Sequence, residues 1–223
     1  SGGYAKIESQ QTFLPCGAGW LFSITKTYTA VLVMKQKERN RIDLDQAISM
    51  YLPSNILDWI TGGDRITVRM LLNHTSGIPN LTDFPEFMVG QFNHPLEQPS
   101  VRKRLQMLEG KPLAFDPGTD FQYSNSNYLV LQQVLEAVSG KSYAELLHED
   151  ILDPLGLSNT YYEPSESALA SLGMPDYYFD RYANSQLENI SAWNDALARA
   201  SDGYGGIAAT PADVIDFYDA LVH

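Results

Sequence analysis

Apolar side chains along this chain recur mostly at helical spacing. Between Tyr128 and Gly140, Leu129, Val130, Val134, Leu135 and Val138 keep a helical period, and Gly140 marks the stop. Ala30 to Met34 form a five-residue apolar block inside a run from about Ser23 to Lys37 that predicts an early helix. The stretch RIDLDQAISMYLP reads as a turn feeding a short helix that ends before Pro53. DRITVRMLLNHTSGIP reads as a capped helix running into a Ser-Gly-Ile-Pro loop. Ser100 and Gly110 bracket a short helix as N-cap and C-terminal stop. SYAELLHEDILDPLGL predicts one further helix. A last one is capped by Thr210, with Pro211 at its first position and Asp213 in its first turn. Strand signals are few: a short strand is expected near Tyr4–Ile7, and Ser158 to about Asn194 carries no assignable pattern.

The bulk numbers narrow the function classes. A chain of 223 residues that is 44% hydrophobic can bury one sizeable core. A net charge of −12 argues against a nucleic-acid or anionic-membrane partner, because phosphate binding is dominated by Lys and Arg. Arg102, Lys103 and Arg104 read as a solvated helix face. The single cysteine, Cys16, excludes an intrachain disulfide and a multi-cysteine metal site. No apolar run approaches the ~18–20 residues of a membrane span, and the opening residues carry no secretory pattern.

The candidate chemistry starts at Ser23 and Lys26, which share a helical face at i and i+3. A serine at a helix mouth faces unpaired N–H groups and the positive end of the dipole, which favour a developing oxyanion. A lysine becomes a base only when an apolar wall lowers its pKa from ~10.4. The bland alternative is a serine cap with a solvated lysine. Ser100 and Lys103 repeat the spacing in a charged setting and read as a capped helix. Tyr123-Ser124-Asn125, on the turn-rich loop after Pro117-Gly118, offers a phenol to pass a proton and an amide to hold a lysine or a carbonyl. Its bland reading is a packed tyrosine with Asn125 as a cap. Tyr182-Ala183-Asn184 has the same form but lies in the polar stretch FDRYANSQLEN without the Pro-Gly lead-in.

LFSITKTYTA, RIDLDQAISMYLP, DRITVRMLLNHTSGIP, PGTDFQYSNSNYLVLQQVLEAVSGKSY, DPLGLSNT and GYGGIAATPADVIDF follow one another in order. Together they resemble successive blocks of the penicillin-recognising serine hydrolases, nearest the branch of D-Ala-D-Ala carboxypeptidases, class C β-lactamases and related esterases. The resemblance implies an α/β (α+β) β-lactamase/transpeptidase-like fold in one catalytic domain. Its sheet side would lie at about residues 1–45 and 200–223, with a mainly helical part between. It implies Ser23 as the acylated nucleophile, Lys26 as its activating partner, Tyr123 as proton relay, and Asn125 as anchor for substrate and lysine. Tyr-Ser-Asn stands where class A relatives have Ser-Asp-Asn.

The third element of that family, a Lys-Thr-Gly or His-Thr-Gly triplet on a sheet strand, has no match in the chain. His74–Gly77 is excluded as a substitute because it ends a helix and belongs to a different block. The sheet is therefore expected to be incomplete in this chain, with a completing segment or second chain expected as a partner. Loss of one oxyanion donor would cost roughly 10²–10³ in rate. The resemblance implies D-alanyl carboxypeptidase or esterase chemistry, with β-lactamase activity or an inactive binding module as alternatives. It further implies a small-molecule or peptide substrate, no cofactor or metal, and an exported, periplasmic or secreted bacterial setting. Phe84 or Phe87 would line an acyl pocket or else pack in the core, and core packing is the default for Trp20, Trp193 and Cys16.

Overall fold

The computed structural model describes residues 3–162 and 172–223. An antiparallel ribbon of β1 (Tyr4–Lys6) and β2 (Gln11–Thr12) precedes β3 (Gly19–Trp20). A 3-10 turn at Phe22–Ile24 then runs straight into α1 (Thr25–Glu38). The early helix thus begins near its expected start, with Ser23 in its tightened first turn. Of the apolar block, Leu32 and Val33 are buried while Met34 is exposed.

A 3-10 turn at Ile48–Met50 and α2 (Ser54–Leu57) lead to α3 (Val68–Leu72), whose N-cap Thr67 accepts from the Met70 N–H. Next come α4 (Pro85–Asn93) and α5 (Val101–Leu105). α6 (Asn125–Ser139) is the hub, with Ser126 through Gln132 buried without a break, and it ends at Gly140 with φ 70°. Its apolar side chains pack with Tyr28, Leu32, Leu71, Leu105 and Phe217 in one core cluster.

Beyond α6, the stretch expected as one helix is interrupted: α7 (Tyr143–Leu147) passes through a widened π turn at His148–Leu152 into α8 (Asp153–Leu155). Pro154 has no N–H to give and its ring crowds the carbonyl four residues back, so a regular helical ladder cannot continue there. The stretch without a sequence pattern holds β4 (Thr160–Tyr162), β5 (Tyr178–Phe179), β6 (Glu188–Asn189) and α9 (Ser191–Arg199); its residues 163–171 lie outside the described residues. Strands of two or three residues are too short to show a period. β7 (Ile207–Ala209), fully buried, is the middle strand of an antiparallel sheet ordered β3-β7-β4. In that sheet Gly19 pairs with Ala209 and Trp20 with Ala208. α10 (Pro211–Val222) closes against α1, with the Phe217 and Tyr28 rings stacked at 3.7 Å.

The basic cluster on α5 is not the solvated face the sequence suggested. Arg104 is 2% exposed and ion-paired with Asp202. Its neighbour Lys103 does face water, paired with Glu97 at 2.9 Å. Among the described residues no helix is long and apolar enough to cross a membrane.

Candidate active site

Where the chain leaves β3, Phe22 takes a left-handed φ of 45°. Such a conformation costs a non-glycine residue about 1–3 kcal/mol and tends to mark functional turns. Leu21 is fixed at the same corner, its N–H donating to the Ile207 carbonyl at 2.8 Å. The result is an exposed Ser23 directly above a buried Lys26.

Lys26 Nζ donates to Ser23 Oγ at 3.3 Å, to Asn125 Oδ1 at 2.8 Å and to the Tyr204 carbonyl at 3.0 Å. The rings of Tyr123, Tyr204 and Tyr128 stand 4.9, 5.3 and 5.6 Å from it, measured to their centroids. None of its hydrogen-bond partners is a carboxylate. With the side chain 6% exposed, burial lowers its pKa from 10.5 to about 7. Ring faces and neutral acceptors favour the cation, and desolvation outweighs them. The lysine is thus poised to be a neutral amine near pH 7.

Tyr123 completes the centre, its hydroxyl donating to Ser23 Oγ at 2.8 Å. The loop carrying it is bonded to the loop after α3. His74 Nδ1 accepts the Ser124 N–H at 3.2 Å, and the imidazole lies against the Tyr123 ring with centroids 4.5 Å apart. Burial, and then the charge of Lys26, lower the His74 pKa to about 4, so the ring stays neutral and keeps Nδ1 free to accept. Ser76 Oγ donates to Asn127 Oδ1 at 2.7 Å, and the Asn125 N–H donates to Asn80 Oδ1 at 3.0 Å. Asn125 Nδ2 donates to Thr82 Oγ1 at 3.3 Å, which turns its carbonyl oxygen toward Lys26. Gly77, with φ 77°, lets the two loops close up: a Cβ there would sit 2.2 Å from the Phe115 carbonyl oxygen.

The structure thus brings Ser23, Lys26, Tyr123 and Asn125 into one constellation. Ser124 is fully buried and its hydroxyl meets no hydrogen-bond partner among the described residues. The two look-alikes stay apart from the centre. Ser100 Oγ caps α5 by accepting the Lys103 N–H at 3.3 Å. Tyr182-Ala183-Asn184 forms an exposed turn, with Asp180 accepting the Asn184 N–H at 3.0 Å. His74–Gly77 is not a sheet triplet; it is the cradle under Tyr123, a role that only the contact across 50 residues reveals.

Tyr204 escaped the sequence reading because it acts through its carbonyl, which no side-chain motif marks. Its 3-10 turn, Asp202–Tyr204, is clamped on several sides. Asp202 pairs with Arg104 and accepts from the Tyr162 hydroxyl at 2.9 Å. The Gly203 carbonyl accepts from Thr29 Oγ1 at 2.6 Å, and the Gly203 N–H donates to Gln132 Oε1 at 2.8 Å.

A cavity of about 320 Å3 opens beside Ser23; Phe84 and Phe87 both pack against the core, and of the two Phe87 also lines that cavity. A larger one of about 450 Å3, by Lys6, Asp176 and Arg199, touches none of the four site residues, whereas Ser23 and Asn125 line the smaller. Trp20 is buried, with Nε1 donating to Asp195 at 2.8 Å. Trp193 meets the Phe92 ring edge-on at 5.5 Å, and Cys16 is exposed rather than packed in the core.

The family model described as Beta-lactamase matches residues 1–223. The D-alanyl-D-alanine-carboxypeptidase/endopeptidase AmpH of Escherichia coli (strain K12) is 29% identical over 194 residues, which are 86% of this chain and 46% of that protein. Protein flp of Staphylococcus aureus (strain MW2) is 26% identical over 161 residues, 72% of this chain and 31% of its own length. A solved D-stereospecific amidohydrolase from Streptomyces sp. matches with a TM-score of 0.79 at 28% identity, covering 92% of this chain and 61% of that one. The chain thus spans less than half the length of these two curated relatives.

Proposed function

Since the chain belongs to the Beta-lactamase family of penicillin-recognising serine hydrolases, with the β-lactamase/transpeptidase-like fold, we propose that it is a serine acyl hydrolase working through an acyl-enzyme on Ser23. The observation that carries this is that Ser23 Oγ is met at once by the Lys26 amine at 3.3 Å and the Tyr123 hydroxyl at 2.8 Å. Burial is what gives that amine a pKa of about 7. Neutral Lys26 takes the Ser23 proton as Oγ bonds to the substrate carbonyl carbon. Tyr123 then donates to the departing oxygen or nitrogen as its bond to carbon breaks, and Lys26 restores the Tyr123 proton. Water attacks the ester in the same way and releases Ser23. Asn125, held by Thr82 and Asn80, keeps Lys26 in place and presents its amide at the cavity.

The proposed substrates are D-alanyl peptides of the carboxypeptidase type, or esters, and the similarity to a carboxypeptidase and to a D-stereospecific amidohydrolase supports the D-configured class. The name of the matching family supports β-lactam hydrolysis as a second reading. An exported, periplasmic or secreted setting goes with both. Intact mass after treatment with a fluorophosphonate tests the nucleophile: one adduct on the protein and none on Ser23→Ala is expected. Absence of the adduct favours a binding module. Fast turnover of a chromogenic cephalosporin would transfer the assignment to the second reading.

A further inference from the structure

We infer that Arg104 is a positioning residue for the proposed reaction. Its pairing with Asp202 holds the turn that binds Lys26 and cancels the charge of the carboxylate in that turn. This deepens the acyl-enzyme reading and rests on it for the consequence in catalysis. Asp202, Gly203 and Tyr204 form one 3-10 turn, and the Tyr204 carbonyl accepts from Lys26 Nζ at 3.0 Å. Ser201, Tyr204 and Gly205 also line the cavity beside Ser23, so the turn is part of the site. Asp202 takes a left-handed φ of 44°, which a non-glycine residue keeps only where its surroundings hold it. Its carbonyl accepts from the Gly205 and Gly206 N–H groups at 3.0 and 2.8 Å. Its side chain is anchored by Arg104 of α5 and by the Tyr162 hydroxyl.

The pairing matters for the chemistry because both charges are out of water: Arg104 is 2% exposed and Asp202 6%. There a charge acts on its neighbours with little screening. Left unpaired, the Asp202 carboxylate would stabilise the Lys26 ammonium and oppose the loss of its proton. Paired, it leaves burial as the cause that brings the amine to about 7. The titratable groups facing Lys26 among the described residues are the Tyr123, Tyr128 and Tyr204 rings and His74. Burial pushes Tyr128 up to about 12, and His74 is lowered to about 4, so neither changes charge between pH 6 and 9. On the far side of the turn, Arg199 and Asp202 line a polar cavity of about 290 Å3 with Gln98 and Ser100. The ion pair of Asp202 is nevertheless made with Arg104.

The test reads Lys26 protonation directly. The Cε resonances of 13C-lysine-labelled protein are followed from pH 5 to 10, and Lys26 is assigned by its loss in Lys26→Met. In Arg104→Met the Lys26 midpoint is expected to rise by about one pH unit, the lower end of what a nearby opposite charge produces. In Asp202→Asn, where Arg104 is the charge left over, the midpoint is expected to fall. In the double variant it is expected to return to that of the unaltered protein. Opposite signs that cancel are the mark of charge, whereas a loosened turn admits water and moves every variant upward. Unmoved midpoints, or shifts of one sign throughout, overturn the proposal. Asp202→Asn keeps an acceptor for Tyr162 and suits the left-handed φ, so it carries the test where Arg104→Met does not fold. The consequence for catalysis is read from fluorophosphonate labelling of Ser23, which should be about fivefold slower at pH 7 in Arg104→Met. An unchanged rate, in a protein whose Ser23 does label, overturns the proposal as well. Where Ser23 of the unaltered protein does not label but the midpoints move as stated, the acyl-enzyme reading falls and the role of Arg104 toward Lys26 stands.

Discussion

Replacing Lys26 by Met separates the cost of a buried ammonium from everything else that titrates. Burial lowers the Lys26 pKa from 10.5 to about 7. A gap of about 3.5 pK units corresponds to about 5 kcal/mol at roughly 1.4 kcal/mol per unit. The sign follows from proton counting. Between pH 7 and pH 10.5 the unfolded chain holds the lysine proton and the folded protein does not, so stability rises with pH across that window. Below pH 7 both forms are protonated and the full penalty stands.

Integrated from pH 7 to pH 9, this single group should add about 2 kcal/mol to the stability of the unaltered protein relative to Lys26→Met. The absolute effect of the substitution is less informative. It relieves the desolvation cost but leaves Asn125 Oδ1 and the Tyr204 carbonyl without their donor, at about 1–3 kcal/mol each. The slope avoids that ambiguity. His74 titrates near pH 4, below the window, and burial moves the phenols of Tyr28, Tyr128 and Tyr143 upward, away from it. Urea unfolding at pH 7, 8 and 9, followed by tryptophan fluorescence, gives the two curves. Parallel curves would mean that the Lys26 ammonium is solvated in the folded protein, and the case for it as a base would fail.

The remaining expectations concern activity and support. With an uncharged ester, kcat/KM should fall about tenfold per pH unit below about pH 7 as Lys26 takes up a proton, and a profile flat to pH 5 would remove Lys26 as the base. His74→Phe keeps a ring against Tyr123 but leaves the Ser124 N–H without its acceptor. A strained Tyr123 loop should then lower kcat about 5- to 150-fold while circular dichroism is unchanged, and full activity would refute the cradle. Arg104→Met removes the cation paired with Asp202, whose carboxylate also accepts from the Tyr162 hydroxyl, and should cost about 3–5 kcal/mol in urea unfolding. The pair Arg104→Met with Asp202→Leu should be milder than the single change, and an equal or larger loss would show that packing, not charge, holds that turn.

How much of this molecule was legible in the chain follows the distance over which each feature is decided. The caps at Ser100 and Thr210 and the stop at Gly140 form as their local sequence implies, because a cap is a bond between residues three apart. Ser23 and Lys26 were bound to share a face for the same reason. Spacing alone offered Ser100–Lys103 and Tyr182–Asn184 as well; the flanking residues and then likeness to a family were needed to join Ser23 and Lys26 with Tyr123 and Asn125.

Tertiary structure decided what the lysine is. Its pKa depends on water being kept out by rings from the Tyr123 loop, from α6 and from the turn before β7, segments separated by up to 178 residues, and no local pattern encodes that exclusion. The same holds for Arg104, which the chain presents as one of three solvated cations and the fold closes over through Asp202. Sequence sets which groups a helix turns to one side. Only the packing of distant segments sets how much water those groups keep, and with it whether an amine at that position is a charge or a base.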